Sequence, residues 1–177
     1  MTRQETNVAG LYLRSGGTGG TTYLLLHGLG ATGEVWDGLV DLIERNKAGR
    51  WLVPDFRGHG RSPWEKPYTY AALMADLIPL INEASRLVVI GHSMGGVVGL
   101  MLGGALPNVE RVLGVGIKVS WNEVELEQMQ ALSTRPVRWW ATQVEAVERY
   151  LKVSGLIGLV NPDSPTAQCG VIAGDDG

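Results

Sequence analysis

Residues 87–96 read Leu87-Val88-Val89-Ile90-Gly91-His92-Ser93-Met94-Gly95-Gly96, and this stretch decides the architecture. Val88, Val89 and Ile90 are a β-branched run of the length of a buried strand, and the small and apolar residues from Met94 to Leu106 suit a buried helix. Between them Gly91-His92-Ser93-Met94-Gly95 is a G-x-S-x-G pattern placed after a strand and before a helix, the setting in which that pattern has mechanical meaning. A serine on so sharp a turn takes strained backbone angles and lifts its hydroxyl above the strand ends. The residues two before and two after it must then be small, and Gly91 and Gly95 are.

From Leu87 to Val109 there is no Asp, Glu, Lys or Arg, a length that could also span a bilayer. Polar groups at Gly91-His92-Ser93 and the stop at Pro107 favour strand, turn and helix instead. Gly95, Gly99 and Gly103 would let that helix lie close on a sheet. No membrane span is expected.

Working outward, Val8 to Arg14 reads as a strand, and a glycine-rich turn at residues 16–20 leads to another at Tyr23 to Leu26. Trp36, Leu39, Val40 and Ile43 share one helical face, and Trp51 to Val53 is a short strand stopped by Pro54. Thr69 caps a helix carrying Leu73, Leu77, Leu80 and Ile81, which Pro79 should kink or end early. A further strand at Arg111 to Ile117, apolar on both faces, completes an alternation of strands and helices. The expected fold class is α/β: a mostly parallel sheet with helices on both faces.

Beyond Ile117 the pattern turns helical. Ser120 and Glu123 have capping-box spacing for a helix to about Leu132, and Pro136 suits the first turn of another bearing Val137, Trp140, Val144, Val147 and Leu151 on one stripe. Trp121, Trp139 and Trp140 fall in this pair, which should therefore bury much apolar surface as a cap over the sheet edge. The expected division is a core over residues 1–119, a helical cap over 120–160 and an irregular tail over 161–177 that could begin a return to the core.

Composition sets the outer bounds. With 45% hydrophobic and 19% charged residues in 177, the chain reads as one globular domain with a sizeable core. A net charge of −3 lacks the basic surface that phosphate-backbone binding requires, so nucleic acid is not an expected partner and a small molecule is. One cysteine, Cys169, and a start without an apolar signal core lead to an expected cytoplasmic location.

A serine hydroxyl needs a base and donors for the oxyanion. The Met94 amide at the helix start is one natural donor, and the Leu29 amide, in Leu26-His27-Gly28-Leu29 leaving a neighbouring strand, is the second. Three motifs now stand in order: His27-Gly28-Leu29-Gly30, then Asp55-Phe56-Arg57-Gly58-His59-Gly60-Arg61-Ser62, then Gly91-His92-Ser93-Met94-Gly95-Gly96. Over about residues 20 to 120 the chain resembles the α/β-hydrolase superfamily in its ester-hydrolase branches. The resemblance implies Ser93 as nucleophile, the Leu29 and Met94 amides as oxyanion hole, and Asp55, Arg57 and Ser62 as residues shaping a turn. It implies acyl transfer from an ester-like small molecule through acyl-Ser93, with no metal or organic cofactor, and it sets aside epoxide hydrolases and haloalkane dehalogenases, which carry Asp at this position.

One departure stands out. The superfamily keeps its base in a histidine near the C-terminus, but the three histidines here, His27, His59 and His92, all precede Ser93. Glu123 fits a helix cap better than a catalytic acid, and Asp175 and Asp176 fit a surface turn. The expectation is that the sequence stops inside or just after the cap, before the strands that carry acid and base. Two alternatives remain: a hydrolase-fold binding protein without catalysis, and a dinucleotide-binding domain, because Gly28-Leu29-Gly30-Ala31-Thr32-Gly33 is also G-x-G-x-x-G with Asp55 at a suitable distance. His27, Pro54 and the unexplained Ser93 turn weigh against the last.

Overall fold

The computed structural model describes residues 3–133 and 138–174. Six strands, β1 (Gln4–Val8), β2 (Leu11–Gly17), β3 (Thr22–Leu26), β4 (Arg50–Pro54), β5 (Leu87–His92) and β6 (Val109–Val115), form one sheet in the order β1-β2-β4-β3-β5-β6. The pairs β4–β3, β3–β5 and β5–β6 run parallel, and β1 and β2 join antiparallel at one side. The helices are α1 (Asp37–Arg45), α2 (Tyr70–Ile81), α3 (Met94–Ala105), α4 (Glu123–Ser133), α5 (Gln143–Ser154) and α6 (Pro165–Gln168), with a 3-10 turn at Gly33–Trp36 before α1.

The two-residue period of β3 sorts its side chains between two cores. Leu24 and Leu26 join Leu73 and Leu77 of α2 and Val98 and Leu102 of α3, whereas Leu25 faces Val40 and Ile43 of α1 together with Trp51 and Val53 of β4. Helices thus cover both faces, as the alternation implied. A third, smaller cluster joins Val147, Tyr150 and Leu151 of α5 to Ala167 of α6.

Several elements differ from the sequence reading. Val8 to Arg14 is a hairpin rather than one strand, because Ala9 and Gly10 both adopt positive φ (50° and 87°), the geometry of a tight two-residue turn. α2 continues past Pro79 to Ile81; Pro79 lies in the last turn on the exposed side, where water can satisfy the Ala75 carbonyl. β6 lies two residues earlier than expected, and it is an edge on which Leu113 and Val115 stay exposed. The box opening α4 is Asn122 with Glu125, each side chain bonding the other's backbone N–H, in place of Ser120 with Glu123.

α5 opens at a Thr142–Glu145 capping box, so Trp140 precedes it and its buried stripe is Val147, Tyr150, Leu151 and Ser154; Val144, in the first turn, is 67% exposed. Pro136, Val137, Asp175 and Asp176 lie outside the described residues. Trp121 and Trp139 are exposed rather than buried. The tail is not wholly irregular, since Ser164 caps the single turn of α6. The charge-free run is β5, a turn and α3, and among the described residues no helix is long and apolar enough to cross a membrane.

This packing makes a simple contrast measurable. Leu77→Ala removes a fully buried side chain between α2 and the sheet and should cost about 2–5 kcal/mol, whereas Leu100→Ala on the exposed face of α3 should change stability by less than about 0.5 kcal/mol. Urea unfolding of the two variants reads the difference.

Candidate active site

Ser93 sits between β5 and α3 with φ 48° and ψ −114°, a strained conformation for a residue other than glycine. Its amide donates to the Val115 carbonyl at 2.8 Å, which fixes the turn to the end of β6. The neighbouring glycines are required by space: a Cβ on Gly91 would lie 2.3 Å from the Gly95 carbonyl oxygen, and one on Gly95 would lie 2.4 Å from that of Leu26. The start of α3 therefore rests directly on the backbone of β3.

That contact brings the two sequence-derived donor positions to the same edge. A Cβ on Gly28 would lie 3.4 Å from the Ser93 Cβ and 2.7 Å from His92 Nδ1, so the Gly28–Ala31 turn runs beside the serine. The Ala31 amide closes this turn onto the Gly28 carbonyl at 3.2 Å, and Gly30, at its third position, has φ +73°. Among the described residues the Leu29 and Met94 amides donate to no protein acceptor, and Ser93 Oγ makes no hydrogen bond.

The motif residues around Ser93 are committed to holding loops. His27 is fully buried: its Nε2 accepts from the Phe56 amide at 3.0 Å, which leaves Nδ1 to donate to the Gly28 carbonyl at 2.8 Å, and its ring meets Phe56 edge-on. Burial, with a smaller push from His59, lowers its pKa to about 3. His59 Nδ1 bonds the Arg57 carbonyl, and burial lowers its pKa as well. None of the three histidines hydrogen-bonds Ser93.

Asp55 is 2% exposed and accepts from the amides of Gly33 (2.7 Å) and Arg61 (3.0 Å); burial raises its pKa against those bonds. Ser62 donates to the Asp55 carbonyl and accepts from the Tyr12 amide, and Arg57 forms a two-pronged pair with Asp76 of α2. These are the turn-shaping roles expected of Asp55, Arg57 and Ser62. They also correct the dinucleotide alternative: the Asp55 carboxylate is buried against the Gly33 and Arg61 amides, so Gly28, Gly33 and Asp55 form a buried loop brace, with Gly30 exposed in the turn between them.

Sequence reasoning missed the polar layer beneath this turn. Glu34 is buried beside Arg61 (3.1 Å) and Arg14 (3.9 Å), and although burial pushes its pKa up, Arg14, a hydrogen bond with Thr32 and Arg61 hold it below the ordinary value. Arg14 also pairs with Asp37 at 2.8 Å. Arg14, Glu34 and Asp37 carry no motif; they meet only because β2 lies beside the start of α1. Among the described residues, no three His, Cys, Asp or Glu side chains are grouped so as to hold a metal ion.

His27 gives a pH test. Its folded pKa of about 3 lies below the unfolded value of about 6.5, so between them the unfolded chain binds the extra proton. The contribution to stability is complete above about pH 6.5 and is lost as pH falls through that window. Asp55 acts in the opposite sense, its contribution being present at acid pH and lost as pH rises through its raised folded pKa. Urea titrations of wild type should lose up to about 1.4 kcal/mol per unit below pH 6, and His27→Gln should remove most of that slope.

Comparison with known proteins agrees with this architecture. The model of the alpha/beta hydrolase family matches residues 23–168. The lipase LipV of Mycobacterium tuberculosis is 35% identical over 97 residues, 54% of this chain and 36% of the relative. An sn-1-specific diacylglycerol lipase of Danio rerio is 34% identical over 103 residues, 56% of this chain and 32% of the relative. Each match thus spans about a third of the relative's length. The thioesterase domain from the curacin biosynthetic pathway superposes with a TM-score of 0.69 at 18% identity, covering 96% of this chain and 65% of that one. A family match over most of the sequence, on a sheet whose strand ends carry the strained Ser93 turn, establishes that the chain belongs to the alpha/beta hydrolase family.

Proposed function

We propose that this chain carries the nucleophile half of a serine hydrolase acting on ester-like small molecules. The observation that carries the reading is Ser93: a strained turn whose Oγ, with the neighbouring Leu29 and Met94 amides, has no protein partner among the described residues. Strain persists where surrounding structure enforces it, and here Gly91, Gly95 and the Leu26 carbonyl do so.

In the proposed reaction Oγ attacks an acyl carbonyl and gives up its proton to a base. The oxyanion accepts from the Leu29 and Met94 amides, a pair in which each donor is worth roughly 100-fold in rate. Collapse breaks the bond to the leaving alkoxide or thiolate, which takes a proton, and water then cleaves acyl-Ser93. The residues from about 120 to 160 serve as a cap over this edge. Lipases among the relatives support an acyl substrate, and no cofactor enters these steps. The cytoplasm is the proposed location.

A specific observation favours a second reading, a hydrolase-fold protein that binds without turnover: no histidine reaches Ser93 Oγ. Fluorophosphonate labelling followed by intact mass separates the two. The acyl-transfer reading expects slow labelling at Ser93, accelerated by added imidazole standing in for the base and absent in Ser93→Ala. No labelling of a folded sample, even with imidazole, would overturn it in favour of the binding reading.

A further inference from the structure

The turn that carries Leu29 is held from two sides. On the sheet side the Gly28 carbonyl accepts from both His27 Nδ1 and the Ala31 amide. On the other side stands α5, 118 positions away in sequence: Tyr150 Oη lies 3.0 Å from Thr32 Oγ1, and both residues are buried at 6% and 4% exposure. Val153, one turn further along α5, presses on Gly30, where an added Cβ would be 2.6 Å from its Cγ1. Cys169 Sγ also reaches Thr32 Oγ1 at 3.6 Å, and Thr166 donates to Asp37 at 3.0 Å. These contacts fall on Gly30 in the turn, on Thr32 directly after it and on Asp37 at the start of α1.

Thr32 Oγ1 also has Cys169 Sγ and Glu34 within reach, but the buried Tyr150 hydroxyl that loses Thr32 is left an unsatisfied polar group, so the pair resists separation even though its net worth is modest. The Tyr150 ring lies flush on Gly170, where an added Cβ would be 2.3 Å from it. The Leu29 amide shares a peptide plane with the Gly28 carbonyl that His27 Nδ1 and the Ala31 amide bond, so its direction follows how the whole turn is seated between its two flanks. Thr32 is the first residue after that turn.

We propose that Tyr150 is a positioning residue: its hydroxyl, through Thr32, fixes the Gly28–Ala31 turn so that the Leu29 amide points at the oxygen bound beside Ser93. The clasp joins the segment after β6 to the donor loop, so docking of α5 and assembly of the oxyanion site are one event. It rests on the acyl-transfer reading for its catalytic consequence, but not for its structural one.

The test is Tyr150→Phe, which keeps the ring and removes the hydroxyl, alongside Thr32→Val. Amide hydrogen exchange should quicken about tenfold at Ala31 and Val35, whose bonds close and follow the turn, while the amides of β3 and β5 exchange as in wild type. The imidazole-assisted fluorophosphonate rate at Ser93 should fall about tenfold at saturation, with the half-saturating concentration unchanged, and the double variant should be no worse than either single one. Unchanged exchange at Ala31 and Val35, or equal quickening throughout the sheet, would overturn the clasp. If wild type is not labelled at Ser93, the exchange result alone decides the clasp, and only the acyl-transfer reading fails.

Discussion

The site rests on one steric constraint: the N-terminal turn of α3 touches the backbone at the end of β3 with no side chain between them. Gly95 lies against the Leu26 and His27 carbonyls, and Gly91 against Gly95 and Gly96. The start of α3, whose Met94 amide meets no protein acceptor among the described residues, is thereby brought to the strand ends, and Ser93 is forced into positive φ. A methyl group at either glycine would push the helix away from the sheet and relax the serine. Strain at Ser93 and close packing of α3 are two aspects of the same contact.

Around that contact, polarity is divided between groups that brace and groups that remain open. His27, Asp55 and Ser62 spend their hydrogen bonds on backbone amides and carbonyls that burial would otherwise leave unsatisfied, and Arg57 ties its loop to Asp76 of α2. His27 is the link between strand ends, joining the turn after β3 to the loop after β4. Burial suits it to that work by keeping the ring neutral, because only a neutral imidazole can accept on one nitrogen while donating from the other. Among the described residues, Ser93 Oγ and the Leu29 and Met94 amides have no protein partner at this edge.

The glycine motif that also fits a dinucleotide domain shows how spacing can mislead. In both settings a strand leads into a glycine-rich turn and a helix, and in both an acid ends the next strand. The difference lies in where the carboxylate points. Here Asp55 turns back to the Gly33 amide and the Arg61 amide, bridging two loops of its own protein. Only the folded chain shows this, because Gly33 and Asp55 are 22 positions apart and no local pattern couples them.

The sequence by itself determined the α/β alternation, the Ser93 turn and the bracing motifs, because each depends on short-range rules: strand and helix periods, the small residues a sharp turn needs, and fixed spacings within one loop. It misplaced elements where local signals were weak or doubled, as at the Ala9–Gly10 turn, at Pro79, and where Asn122 and not Ser120 caps α4. Tertiary structure alone decided which faces are covered, leaving Leu113 and Trp139 exposed. It alone joined Arg14 to Glu34 and Asp37, and Tyr150 to Thr32, partners 20, 23 and 118 residues apart. Such pairs are chosen by the packing of whole elements, and a chain carries no local mark of a contact that exists only after its sheet and helices have closed.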